Sequence, residues 1–152
     1  PVDLPALARE VLAELRARHA RAGEVVLQVP PGFPTLSLDR ARMRLLLRNL
    51  LDNALRHGAA ATQAPELTVS VATGEVVVAV RDHGPGVPDE HLHRLSEAFY
   101  RPDSARTRSA GGVGLGLYLC KLVAQAHGGH LAVANAAPGL VVSVTLPGPT
   151  SV

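Results

Sequence analysis

The chain has 152 residues, of which 47% are hydrophobic and 18% charged, with 15 Lys and Arg against 13 Asp and Glu for a formal charge of +2. This length and apolar content fit one domain able to bury its own core, while the small charge and 3% aromatic content argue against a nucleic-acid surface. A single cysteine excludes a disulfide framework and a thiolate zinc site, and no apolar run approaches the ~18 residues of a membrane helix.

The opening, PVDLPALA, reads as that of an excised piece and carries no signal-peptide pattern. Leu4, Leu7, Val11, Leu12 and Leu15 then recur at helical spacing. They predict a first helix from Asp3 to Ala22, with Asp3 as N-cap and Gly23 as its stop. EVVLQV, Glu24 to Val29, reads as a strand, and PPGFP as a turn-rich connection. Asp39 can cap a second helix whose apolar stripe is Met43, Leu46, Leu47, Leu50, Leu51 and Ala54, ending at His57 and Gly58. ELTVSVA and EVVVAVRD predict two strands joined by a tight turn at Thr73 and Gly74. HGPGVP leads to a short helix around Asp89 to Leu95. Arg101 to Gly112 is rich in Arg, Ser and small residues, the composition of a mobile lid. A last helix runs from about Gly114 to Ala126 and ends at Gly128 and Gly129, and HLAVANA with LVVSVTL forms a closing hairpin. Cys120, among Leu117, Leu119 and Leu122, reads as a small core hydrophobe. Helices mixed with antiparallel strands, without a strict βαβ repeat, predict a two-layer α/β sandwich with a mixed sheet on a helical layer, and not a Rossmann sheet.

Three features carry chemistry. GGVGLGLYLCKL places four glycines, Gly111, Gly112, Gly114 and Gly116, just before a helix. A P-loop would need Lys and then Ser or Thr after the last glycine, where Leu117 and Tyr118 stand. A dinucleotide-binding turn counted from Gly112 and Gly114 would need glycine at Leu117. Both fail, which leaves bare backbone and a helix N-terminus suited to a phosphate. In RNLLDNALRHG, Asn49 and Asn53 share one helix face and Arg56 lies one turn beyond. An amide oxygen there is either a solvated polar group or a hard, neutral ligand for Mg²⁺ that shares its coordination with phosphate oxygens. Asp82 ends an apolar strand and is followed by Gly84 and Gly86. It can open a Gly-Pro turn, or accept a hydrogen bond from an exocyclic amine such as adenine N6 while the glycines admit a flat ring.

Asn49 and Asn53, Asp82 in DHGPG, Phe99 in EAFYRP and the GGVGLGL run occur in the order of the N, G1, F and G2 boxes. From Asp39 to Leu146 the chain closely resembles the catalytic ATP-binding domain of bacterial sensor histidine kinases. The resemblance implies the Bergerat-type fold shared by gyrase, heat-shock-protein-90, histidine kinases and MutL, as a single domain over residues 1–152. It implies ATP and Mg²⁺ as cofactors, with Asn49, Asn53 and Arg56 in the catalytic set and Asn53 on the metal. Asp82 would read adenine beside Gly84 and Gly86, and Arg56 and His57 would lie near phosphates or ribose. Phe99 would anchor a lid over 101–112 that carries Arg101, Arg106 and Arg108. The backbone at Gly112, Gly114, Leu115 and Gly116 would hold the phosphate tail. Val113 departs from the Thr or Ser that the family often has there, so a hydroxyl contact to phosphate is expected to be missing.

The family's phosphoacceptor is a histidine written His-Glu or His-Asp on a separate dimerisation domain. His19, His57, His83, His91, His93, His127 and His130 are followed by Ala, Gly, Gly, Leu, Arg, Gly and Leu, so none fits. The acceptor is expected upstream of Pro1, in a cytoplasmic part of a sensor anchored in the inner membrane, with a response regulator as the next recipient and no nucleic-acid partner. HGGH at His127 to His130 lacks further metal ligands. Two other classes compete. An ATPase or serine kinase of the same superfold would typically carry Glu at the position of Asn49, and Asn49 cannot accept a proton. A degenerate, nucleotide-sensing module is disfavoured by Asn53, Asp82 and the glycines together.

Overall fold

The computed structural model describes residues 1–72, 74–97 and 116–148. Helix α1, Leu4–Leu15, starts where the Asp3 carboxylate accepts the Ala6 N–H at 3.0 Å, with Pro5 in the first turn. Its buried face is Leu4, Leu7, Ala8, Val11 and Leu15. The helix ends seven residues short of the Ala22 expected from the sequence. Leu15 is the last large apolar residue before Val25, and its carbonyl takes N–H groups from Arg18 and His19. A 3₁₀ turn, Ala20–Glu24, follows, so Gly23 lies inside a turn and stops no helix. Strand β1 is Val26–Gln28, shorter than the expected Glu24 to Val29.

Helix α2, Arg40–His57, follows the expected pattern. The Asp39 carboxylate accepts the Arg42 N–H at 3.1 Å, and Met43, Leu46, Leu47, Leu50, Leu51, Ala54 and Leu55 are buried. Gly58 caps it, its N–H on the Ala54 carbonyl. Strands β2, Glu66–Ala72, and β3, Glu75–Arg81, form the predicted hairpin, with Ala72 opposite Glu75 and Gly74 at φ 71°. Thr73 lies outside the described residues. The expected helix around Asp89 to Leu95 is a 3₁₀ turn, Asp89–Arg94, which fully buries no side chain and packs a single apolar residue, Leu92, against the core, too small an apolar face to hold an α-helix. Helix α3 is described over Gly116–Ala126, and strands β4, His130–Asn135, and β5, Leu140–Pro147, close the chain as a hairpin.

The sheet order is β1-β2-β3-β5-β4, parallel only between β1 and β2. This is the expected mixed sheet under a helical layer. Val76, Val78 and Val80 of β3 and Val142, Val144 and Leu146 of β5 alternate toward the helices and are buried. Helix α2 runs along the middle, in contact with α1, α3 and β3. Cys120 is buried where α3 meets α2, its Sγ 3.5 Å from the Leu46 carbonyl, and burial pushes its thiol up to about 12. This matches the core reading of that residue. Among the described residues no helix is long and apolar enough to cross a membrane.

Candidate functional site

The polar face of α2 interrupts its apolar stripe at one end of the sheet. Asn49 donates its Nδ2 to the Leu45 carbonyl at 2.8 Å, which fixes the amide plane. Its Oδ1 then faces the start of α3, where a Cβ on Gly116 would lie 3.3 Å away. Asn53 follows one turn later and is half-buried. The Arg56 guanidinium reaches back one turn to Asp52, Nη2 to Oδ2 at 2.6 Å. His57 ends the helix, and burial lowers its imidazole pKa. The Asp82 charge opposes that shift and Arg56 adds to it.

Asp82 enters from the sheet. It leaves β3 with its N–H on the Leu140 carbonyl at 3.0 Å and is 2% exposed, the one charged residue buried to that degree among those described. Its Oδ1 accepts the Gly84 N–H at 2.9 Å. Burial pushes the carboxyl pKa up, and the Gly84 N–H and the nearby His57 offset part of that rise. A carboxylate held in this way, with little water, is an acceptor of fixed direction.

Glycines let the two elements meet. A Cβ on Gly84 would fall inside van der Waals contact of the His57 carbonyl, and one on Gly58 would lie 3.3 Å from the Asp82 Cβ. The end of α2 and the exit of β3 therefore pack backbone to backbone. Gly86 has φ 71°, and a Cβ there would sit 2.7 Å from Asn135 Oδ1. Asn135, at the end of β4, grips this loop. Its Oδ1 accepts the Val87 N–H at 3.1 Å, and its Nδ2 donates to the Val87 carbonyl at 2.6 Å and to Asp89 Oδ1 at 2.9 Å. Sequence reasoning passed over Asn135, because a lone Asn at a strand end reads as a turn residue. Its only signal was polarity at the end of an apolar strand.

The structure thus brings His57, Asp82 and Gly84 together, and Asn49 against Gly116, with Asn53 and Arg56 on the same helix between them. Phe99, Arg101, Arg106, Arg108, Gly112, Gly114 and Leu115 lie outside the described residues, as does the lid expected over 101–112. Among the described residues no group of three His, Cys, Asp or Glu side chains could hold a metal ion.

Residues 38–150 match the family model described as histidine kinase-, DNA gyrase B- and HSP90-like ATPase. The chain is 36% identical over 146 residues to the sensor histidine kinase YkoH of Bacillus subtilis, covering 95% of this chain and 31% of that protein. It is 35% identical over 150 residues to the signal transduction histidine-protein kinase BaeS of Escherichia coli, covering 97% of this chain and 32% of that protein. It therefore spans about a third of these relatives. Among solved structures it is similar to full-length ShkA in complex with AMPPNP, at a TM-score of 0.83 and 30% identity over 99% of this chain and 31% of that one. The mycobacterial sensor histidine kinase MprB superposes at a TM-score of 0.77 and 28% identity, over 99% of both chains.

Proposed function

Since the chain belongs to the histidine kinase-, DNA gyrase B- and HSP90-like ATPase family, we propose that it is the catalytic ATP-binding domain of a two-component sensor histidine kinase. In this reading it delivers the γ-phosphate of ATP to a histidine on a separate dimerisation domain, for relay to a response regulator. The observation that carries the reading is the carboxylate of Asp82, 2% exposed and oriented by the Gly84 N–H at the exit of β3. It has the acceptor chemistry that the exocyclic amine of adenine requires. The sensor kinase similarities extend across nearly the whole chain and support the same conclusion.

Each residue then has a task. Asp82 selects the base, and Gly84 and Gly86 leave room for its ring beside the backbone. Asn53 offers a neutral amide oxygen to Mg²⁺, and the donor set fits that ion, which takes few protein ligands and keeps phosphate oxygens and water. When bound, Mg²⁺ supplies charge neutralisation across the phosphates. Arg56 adds positive charge at the same edge, and Gly116 brings the N-terminal end of α3 to Asn49. Asn49 holds no proton-accepting group, so the site orients the phosphoryl group without activating water. A neutral imidazole is already a nucleophile and needs no strong base from this domain. The chain would work on the cytoplasmic side of a membrane-anchored sensor.

The test uses γ-labelled ATP, this chain and a separately produced helical domain that carries the acceptor histidine. Label that is acid-labile and base-stable should reach the added domain. Bound ATP with no transfer to any such domain would overturn the kinase reading.

A further inference from the structure

Asp52 lies on α2 one residue before Asn53, and the site described above makes no use of it. Its carboxylate is held from two sides. Oδ2 accepts Arg56 Nη2 at 2.6 Å, and Oδ1 lies 2.8 Å from His19 Nε2. The side chains of His19, Asp52 and Arg56 are 19%, 13% and 31% exposed, so the contacts are shielded from water over most of their surface. His19 immediately precedes the 3₁₀ turn after α1, and that turn is anchored a second time, just beyond the end of α2. Arg21 of that turn donates to the Gly58 carbonyl at 3.1 Å, the Ala61 carbonyl and the Thr62 carbonyl at 2.7 Å. Two independent clamps thus fix this turn beside α2, one at Asp52 and one at the helix end that packs on Asp82.

We propose that Asp52 is a positioning residue that sets the orientation of Arg56 toward the phosphates, with His19 fixing the carboxylate from the other side. The inference rests on the ATP-binding reading given above. An arginine side chain has several rotatable bonds, and ordering it on a ligand costs conformational freedom. A guanidinium is a planar fork, so one nitrogen held by a fixed acceptor restricts the plane of the rest. Asp52 can serve as that acceptor because its Oδ2 already takes the Arg56 Nη2 at 2.6 Å while its Oδ1 is held at His19. His19 matters because a carboxylate bound only to Arg56, four residues away on the same helix, could rotate with it. Tied to a second element, it cannot.

The experiment measures calorimetric Kd values for ATP and for AMP, which lacks the β and γ phosphates, on wild type, Asp52→Asn, His19→Ala, Arg56→Gln and the double variant Asp52→Asn/Arg56→Gln. Asp52→Asn should weaken ATP about 5- to 10-fold and AMP less than about twofold. The double variant should bind ATP no worse than Arg56→Gln alone, since a residue acting through Arg56 has nothing left to position. Should Asp52→Asn fail to fold, His19→Ala retains the Asp52–Arg56 pair and should still weaken ATP selectively, by about two- to threefold. Equal losses for ATP and AMP, full additivity with Arg56→Gln, or unchanged ATP affinity in both single variants would overturn the proposal. Failure of the wild type to bind ATP at all would instead overturn the functional reading beneath it.

Discussion

The task in ligand binding proposed for Asp82 comes at the expense of the fold. Its folded-state pKa is raised, chiefly by burial, so the folded chain holds this proton more tightly than the unfolded chain. The resulting stabilisation is fully present below the ordinary carboxylate range and is lost as pH rises through the raised value. At neutral pH the ionised carboxylate is therefore a cost to stability. Asp82→Asn removes the charge, and the Asn Oδ1 can still accept the Gly84 N–H. The variant should melt higher than wild type at pH 7, by about 2–6 °C for a gain near 1 kcal/mol. That advantage should vanish when both are melted below the ordinary carboxylate range. With Oδ1 committed to Gly84, the remaining amide group is an NH₂ donor that faces the donor amine of adenine. ATP and ADP should both weaken, by about 10- to 100-fold. Calorimetry of binding and of melting on one preparation checks both halves; a lower melting point at pH 7 would show that burial of this charge is not the cost assigned to it.

Between elements, the junction of α2 with the exit of β3 depends on Gly84, where any side chain would strike the His57 carbonyl. Gly84→Ala should destabilise the fold by about 1–3 kcal/mol, the usual cost of overpacking a close contact, and should weaken ATP by moving Asp82 away from α2. The contrasting contact is α2 on α3, where Cys120 is buried and its thiol is pushed up to about 12. A thiol reagent should leave the folded protein unmodified and react at one site per chain once denaturant is added; fast modification of the native protein would contradict this packing. How well each element could be read from the sequence follows from the same physics. Helix α2, the β2–β3 hairpin and the β4–β5 hairpin were legible because an apolar period, a cap or a tight turn marked each one. Helix α1 is shorter than expected because Arg16 to Ala22 has good helix propensity but no large apolar side chain, and the structure follows the large apolar residues, the last of which is Leu15. The candidate site residues Asn49, Asn53, Asp82 and Gly84 are legible as a motif. Asn135, Asp52, His19 and Arg21 were not, because each acts through a partner at least several residues away that no local spacing reveals.

At the scale of the whole molecule, the question is where the phosphate of bound ATP can go. Helix α2 carries one carboxylate in eighteen residues, Asp52, and its oxygens are engaged by His19 and Arg56. Those partners hold its pKa low against the opposing effect of burial, which makes it a poor base. Asp82 is the more basic carboxylate, but it is 2% exposed with Oδ1 on the Gly84 N–H. Asn49, beside the start of α3, has no basic atom. Neither carboxylate nor Asn49 is thus placed to take a proton from water, and loss of a positioned base typically costs ~10² to 10⁴ in rate. No histidine of the chain is followed by the acid that marks the acceptor in sensor kinases. The chain alone, incubated with γ-labelled ATP, should bind the nucleotide, release phosphate very slowly and retain no acid-labile label. Asn49→Glu places a carboxylate where hydrolytic members of the superfold carry one, against Gly116. It should raise phosphate release at least about tenfold while ATP binding persists. Brisk release by the unmodified chain would place it among the ATPases, and label retained on the chain would identify one of its seven histidines as an acceptor.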